Sequence, residues 1–515
     1  MNTVWLAGFF YGFRPYPQEQ ITKAQRLAAH AGLRAELITV PLGHPGESLG
    51  SRDGDFPLTP PKHWRLGERF DGKRFAGTSL HAPATEENAA ALRDLRRLGF
   101  HRAFVDDDFR LARGPGEIGG CFCADHRAEF LRTHGFGDTR WSELLDDVCA
   151  RRLTKLLRSW VDWNCDQLTA SFRAQQRAFG GEFGNMIMYL GAEKAGIRLR
   201  DYRHVPVRVG ELMFDNTSFG RVKGKTDELF SVLFHRRFIA PDRAFSETTA
   251  YPADKLSAAH LAAKLTISTI ADVRHTMFMS GLTPFPRAHW STLGPAMREQ
   301  ARLHELVAGH RPCGPFKHVW GEAQRYVGDD KSFSLWLAAG VPFEVVEEPA
   351  RDGWNFLSDF DARELPSAKP AFSGQLVCRT QPAVGSRHDL EIAQRGHEPG
   401  GAGVSPASCW AERRNAPAGR QRSQERFMGR QRMEVVPETL DALFAFKRRV
   451  RASLANVPMV EEETPMICAW YPSVKRVLLW NLLPEPRRVT VSFRGRQRPA
   501  ELGPLGSAVL DGFPV

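Results

Sequence analysis

The sequence predicts an α/β protein built on a (β/α)8 TIM barrel, and three observations carry that expectation. Short apolar runs alternate with amphipathic helical stretches, a rhythm that pairs strands in parallel. Eight such runs fall within about 280 residues, the size of a closed eight-stranded barrel. The turn after the first run, Phe10-Tyr11-Gly12-Phe13-Arg14-Pro15, is not the glycine-rich phosphate loop that the alternative, a doubly wound open sheet, would place there.

Val4 to Phe13 is apolar but lacks a basic flank and an Ala-x-Ala cleavage site, so it reads as the first strand rather than a leader. Gln18 to Gly32 follows as a helix with Ile21, Ala24, Leu27 and Ala28 on one face, and Ala35 to Leu42 as the second strand. Beyond a loop of Gly, Pro and Asp, Phe75 to His81 reads as the third. Thr85 to Gly99 is a helix whose Glu86 and Glu87 suit the positive end of its dipole. His101 to Val105 is the fourth strand. From Trp141 to Phe179 the stripe of Leu144, Leu145, Val148, Leu156, Leu157, Trp160, Leu168 and Phe172 predicts a long helix or helix pair facing the core. Met186 to Tyr189, Val205 to Val209, Ala244 to Glu247 and Thr276 to Met279 complete the eight, with helices at Thr226 to Arg237 and Ala253 to Ala271 between the later ones.

A chain of 515 residues exceeds what one core fills, so two or three domains are expected. Hydrophobic and charged contents of 42% and 25% are those of a soluble protein, and no window approaches the roughly 20 apolar residues of a membrane span. The net charge of +11 is concentrated: Arg379 to Arg432 alone contributes +5, from ten Arg, no Lys and five acidic residues. With no nucleic-acid motif elsewhere, the expected partner is neither nucleic acid nor membrane. The eight cysteines are scattered apart from Cys121 and Cys123, which are too close for an ordinary disulfide and read as ligands. A reducing compartment, the cytoplasm, follows.

In such a barrel function sits at the C-terminal ends of the strands. There the sequence offers Tyr11, His81, the run Asp106-Asp107-Asp108, Tyr189 with Glu193, Glu211, Glu247 and Ser280. Like charges about 4 Å apart repel by several kcal/mol at intermediate dielectric, so the aspartate run calls for a cation, and Arg110 is the nearest in sequence. Paired acids beside aromatic rings, with no lysine placed for a Schiff base, suit glycosidic chemistry. Tyr11, His81, Asp106, Asp107, Arg110, Tyr189 and Glu211 are the substrate-binding candidates. Two other classes compete: a non-catalytic carbohydrate-binding barrel, and a metal-dependent hydrolase using Asp106, Asp107, Asp108 and His81. Separately, Cys121, Cys123 and His126 offer three ligands to a tetrahedral zinc, with His81 or Asp125 as the fourth.

The run Asp106-Asp107-Asp108-Phe109, then Cys121-Phe122-Cys123-Ala124-Asp125-His126 leading into Arg127-Ala128-Glu129-Phe130-Leu131, resembles the acid/base strand and Cys-rich loop of glycoside hydrolase family 42, the β-galactosidases of clan A. The resemblance implies a retaining, exo-acting two-carboxylate enzyme with Asp108 as acid/base and Glu247, in Phe245-Ser246-Glu247-Thr248-Thr249, as nucleophile. It also implies a structural zinc on the Cys-rich loop, no cofactor for catalysis, and a homotrimer. Two departures stand out. Asp replaces the acid/base Glu, shortening that arm by about 1.5 Å, and Asp107 replaces Asn; a wider carboxyl separation favours inversion. In the loop, His126 replaces a third Cys.

The resemblance continues through His318-Val319-Trp320, Ser332 to Val345 and Phe356-Leu357-Ser358-Asp359, which look like a flavodoxin-like α/β trimerisation domain. Alternation in Met466 to Leu510 suits a small β-sandwich. The expected division is therefore 1–305 for the barrel, 306–457 for the α/β domain with an irregular insert at 379–432, and 458–515 for the sandwich. The insert reads as a disordered linker or a frame-shifted stretch.

Overall fold

The structure is a computed structural model that describes residues 2–10, 14, 16–42, 60–75, 80–106, 109–112, 114, 116–187, 190, 193–210, 213–280, 284–365, 374–380 and 433–513. Its first part runs β1 (Thr3–Phe10), α1 (Gln18–His30), β2 (Arg34–Val40), α2 (Ala84–Arg97), β3 (Arg102–Val105), α3 (Ala124–His134), α4 (Thr139–Ala150), α5 (Lys155–Phe179), β4 (Glu182–Ile187), β5 (Val207–Val209), α6 (Asn216–Phe219), α7 (Val222–His235), β6 (Ala244–Phe245), β7 (Thr248–Thr249), α8 (Ala258–Ile270), β8 (Phe278–Met279) and α9 (His289–Val307). Strands β1 to β6 form one parallel sheet in chain order, and β7 pairs in parallel with β8. The bridge Phe245↔His275 and the pair Thr248↔Phe278 share one register, so β6 and β7 are two stretches of a single strand.

The expected third strand is not in this sheet. Leu37 of β2 pairs directly with Ala103 of β3, which leaves no gap for a strand between them. Of the run Phe75 to His81, residues 76–79 lie outside the described residues. The apolar start of the run serves a local purpose: Phe75 is buried, its N–H donates to Gly67 O, and Arg74 bridges Glu68 in an antiparallel turn. The stretch from Trp141 to Phe179 is a helix pair. It breaks at Arg151, whose φ of 49° is left-handed, and α5 restarts with Thr154 capping Leu157 N.

Period-two alternation sorts side chains to the two faces of the sheet. One face packs on the helices through Leu37, Ala103, Val105 and Val207, against Leu95, Phe172 and Leu229. The other carries an aromatic and aliphatic layer of Trp5, Ile38, Phe104, Phe245 and Met277, with the Phe104 ring 5.1 Å from both Trp5 and Phe245. Gly184 is required there, since a Cβ on it would stand 2.4 Å from Phe104 Cε1.

The second part holds β9 (Phe316–Val319), α10 (Glu322–Val327), β10 (Phe343–Val346), β11 (Trp354–Leu357), α11 (Asp359–Glu364), β12 (Gln375–Cys378), β13 (Met433–Val435) and α12 (Leu440–Val450). Its parallel sheet has the order β10-β9-β11-β12-β13, the flavodoxin-type winding. Residues 381–432, most of the expected insert, lie outside the described residues. The third part has β14 (Met459–Val460), β15 (Met466–Tyr471), β16 (Arg476–Asn481), β17 (Arg487–Phe493), β18 (Arg496–Leu502) and β19 (Ser507–Asp511), in two three-stranded antiparallel sheets. Val460, Val491 and Leu502 of one sheet share a core with Met466, Cys468 and Leu479 of the other.

Candidate active site and metal cluster

The layer of Phe104 and Phe245 sets the floor of the site. Two residues on, by alternation, Asp106 and Glu247 share the faces of those rings. Arg208 is the register partner of Phe245 on β5, so it comes to the same face. All three are buried, and the Arg208 guanidinium joins the two acids: Nη1 lies 3.1 Å from Asp106 Oδ1 and Nη2 2.9 Å from Glu247 Oε1. A guanidinium between two carboxylates offsets their repulsion and favours the charged form of each. Glu247 is thereby suited to attack or to stabilise positive charge, and Asp106 is unsuited to donate a proton.

Arg208 is a cation for the first acid of the aspartate run, and sequence reasoning missed it. The signal was present: a lone arginine between Val207 and Val209, in a strand buried on both faces, needs a partner. Arg110, the cation proposed from sequence proximity, is also buried and donates from Nε to Ala112 O at 3.1 Å. Tyr11, Asp107, Asp108, Tyr189 and Glu211 lie outside the described residues.

His81 turns away from the role of substrate binder and joins the cysteines. The ligand atoms of His81, Cys121, Cys123 and His126 all lie within 4.8 Å of one another. His81 Nε2 is 3.6 Å from Cys121 Sγ and 3.7 Å from Cys123 Sγ, and His126 Nδ1 is 3.3 Å from Cys123 Sγ. Zinc bonds of about 2.3 Å to sulfur and 2.0 Å to nitrogen at a tetrahedral angle separate S and N by about 3.6 Å, so the spacing fits. Burial, with His126 and Arg65 nearby, pushes the His81 imidazole down to about 4, the neutral ligand form. Burial pushes the Cys121 thiol up to about 12, so a zinc bound there would have to displace its proton. Asp125, the other candidate for fourth ligand, is exposed and pairs with Arg65 instead. Of the two candidates the sequence offers for a fourth ligand, His81 is therefore the one that stands with the cysteines.

Because His81 faces the cysteines and Asp106 faces Arg208, the ligand set expected of a metal-dependent hydrolase does not assemble among the described residues. No described helix is long and apolar enough to cross a membrane.

No family model matches the sequence, and no curated protein matches it. Among solved structures, the cold-adapted β-galactosidase from Rahnella sp. R3 aligns over 96% of this chain and 90% of its own, at 11% identity and a TM-score of 0.51. The β-galactosidase from Bacillus circulans sp. alkalophilus aligns over 98% of each chain, at 8% identity and a TM-score of 0.54. The chain shares the fold of these proteins along nearly its whole length.

Proposed function

We propose that the chain is a glycoside hydrolase, a retaining, exo-acting β-galactosidase-like enzyme with a two-carboxylate mechanism. The observation that carries this reading is Glu247, buried and paired with Arg208 on an apolar floor, in a fold shared with two β-galactosidases. Glu247 attacks the anomeric carbon, and a second carboxyl protonates the departing oxygen and then activates water. Asp106, paired with Arg208, is the wrong group for that proton. Asp108 is therefore assigned as acid/base, with Glu211 next in line and otherwise a substrate-binding group alongside Tyr11, Asp107 and Tyr189.

The four donors of His81, Cys121, Cys123 and His126 would hold a structural zinc, whose role is to fix the loop that follows β3 rather than to touch the sugar. We also carry forward a homotrimer and a reducing, cytoplasmic setting; the latter is supported by the described cysteines, all of which are free thiols.

The test is a panel of nitrophenyl glycosides, run with and without chelator. Turnover that survives brief chelation supports the reading, and a chain that binds sugars but hydrolyses none of them overturns it. On an active substrate, Asp108→Asn should spare nitrophenol leaving groups far more than poor alkyl ones, the mark of a lost general acid. If Glu211→Gln shows that selectivity instead, the acid is Glu211. Anomeric NMR of the first-formed product then separates retention from inversion.

A further inference from the structure

The second domain grips the described residues that follow β4. Leu190 is bonded on both sides of its backbone from that domain: its C=O accepts from Trp320 Nε1 at 3.1 Å, and its N–H donates to Asp330 Oδ2 at 3.4 Å. Trp320 is fully buried and packs edge-on against Phe230 of α7, so its indole is locked before it meets Leu190. Further along the same loop, buried Glu193 pairs with Arg325 of α10, and the buried Lys194 ammonium lies 3.6 Å from Asp330.

The loop is in turn the partner of the segment that leaves β3. Leu111 N–H donates to Ala195 O at 2.8 Å and Gly119 N–H to Lys194 O at 2.7 Å. Trp320 and Asp330 therefore hold Leu190, while Lys194 and Ala195, four and five residues on, hold Gly119 and Leu111 of the segment between Asp106 and Cys121.

We propose that Trp320 and Asp330 are positioning residues: the second domain sets the residues that follow β4 and, through them, the segment that leaves β3. Their part in turnover rests on the hydrolase reading above; their part in ordering the loop does not. A loop bound only to its own domain would be free to open locally, and two bonds to the backbone of one residue from a rigid neighbour suppress that opening.

Hydrogen exchange on the intact chain tests this without substrate. In Trp320→Phe, which keeps an aromatic ring and removes one bond, amides in peptides covering Leu190 to Gly196 should exchange roughly fivefold faster, the ratio set by a bond of about 1 kcal/mol. Asp330→Asn should give a rise at least as large, and Asp330→Glu should recover part of it by restoring the charge facing Lys194. Peptides from β1 and β2 should not change. On an active glycoside, both Trp320→Phe and Asp330→Asn should lower kcat several-fold while KM stays within about twofold. Unchanged exchange at Leu190 to Gly196 in both variants overturns the proposal, as does faster exchange with unaltered kcat. If the parent chain hydrolyses nothing, the hydrolase reading fails, and exchange alone still decides whether the second domain holds this loop.

Discussion

Arg208 Nη2 stands 2.9 Å from Glu247 Oε1, and the side chains of both residues are almost wholly withdrawn from solvent. A charge pair so enclosed is expensive to assemble and more expensive to break, because removing one partner leaves the other buried without compensation. With Asp106 on the same guanidinium, two acids and one base share a buried cluster at the C-terminal ends of the strands.

Glu247→Gln separates chemistry from folding. The amide keeps the size and shape of the carboxyl, and Arg208 keeps Asp106 as its ion-pair partner, so the thermal midpoint should move by only a few degrees. The attacking carboxylate is gone, and kcat should fall by about 10³-fold or more. A variant that retains parental kcat removes Glu247 from the mechanism.

Arg208→Met should cost about 3–5 kcal/mol, since it strands Asp106 and Glu247 beside each other. The loss has a pH signature. Without the guanidinium, the folded state binds protons on these acids more tightly than the unfolded chain does, whose carboxyls titrate near about 4. The penalty is therefore small where both acids are protonated and grows as pH rises. Paired denaturant melts of parent and variant should lie closer at pH 4.5 than at pH 8. A gap independent of pH would show that Arg208 does not neutralise this pair.

Much of the architecture was legible because alternation and helical spacing are local signals. The helix expected over Thr85 to Gly99 is α2, its ends within two residues of that reading, and β3 and β5 lie within the runs expected of them. The failures share a cause: they turn on contacts between distant segments. Phe75 to His81 has the apolar content of a strand, but Phe75 is used by its own turn and His81 by cysteines some 40 residues on. The cation for Asp106 comes from β5 rather than from neighbouring Arg110, because strand register, not sequence proximity, decides which side chains meet at the end of a parallel sheet.

Protein purified without a histidine tag should carry about one zinc per chain. His81→Ala or Cys121→Ser should reduce that content severalfold and lower the thermal midpoint. Prolonged chelation of the parent should do the same, with activity declining only as the fold is lost. Less than about a tenth of an equivalent in the parent, measured by elemental analysis, would leave the cluster as two thiols and two imidazoles packed without a metal.

His318 gives the second domain a defined acid sensitivity. The ring is fully buried; its Nδ1–H donates to Phe333 O at 3.1 Å, it stacks on Phe356 at 5.2 Å, and its Nε2 has no hydrogen-bond partner among the described residues. Burial pushes its imidazole down to about 3, against 6.5 for an ordinary histidine. Between those values the unfolded chain takes up a proton that the folded chain refuses. Stability is therefore complete above about pH 6.5 and lost progressively as pH falls towards the folded value, by roughly 2–3 kcal/mol at pH 4.5. His318→Leu forfeits the bond to Phe333 and should be somewhat less stable than the parent at pH 7.5. Its stability should nonetheless fall less steeply between pH 6.5 and 4.5, so the two curves converge. Parallel curves over that interval, from denaturant melts at matched ionic strength, would mean that another group supplies the acid sensitivity.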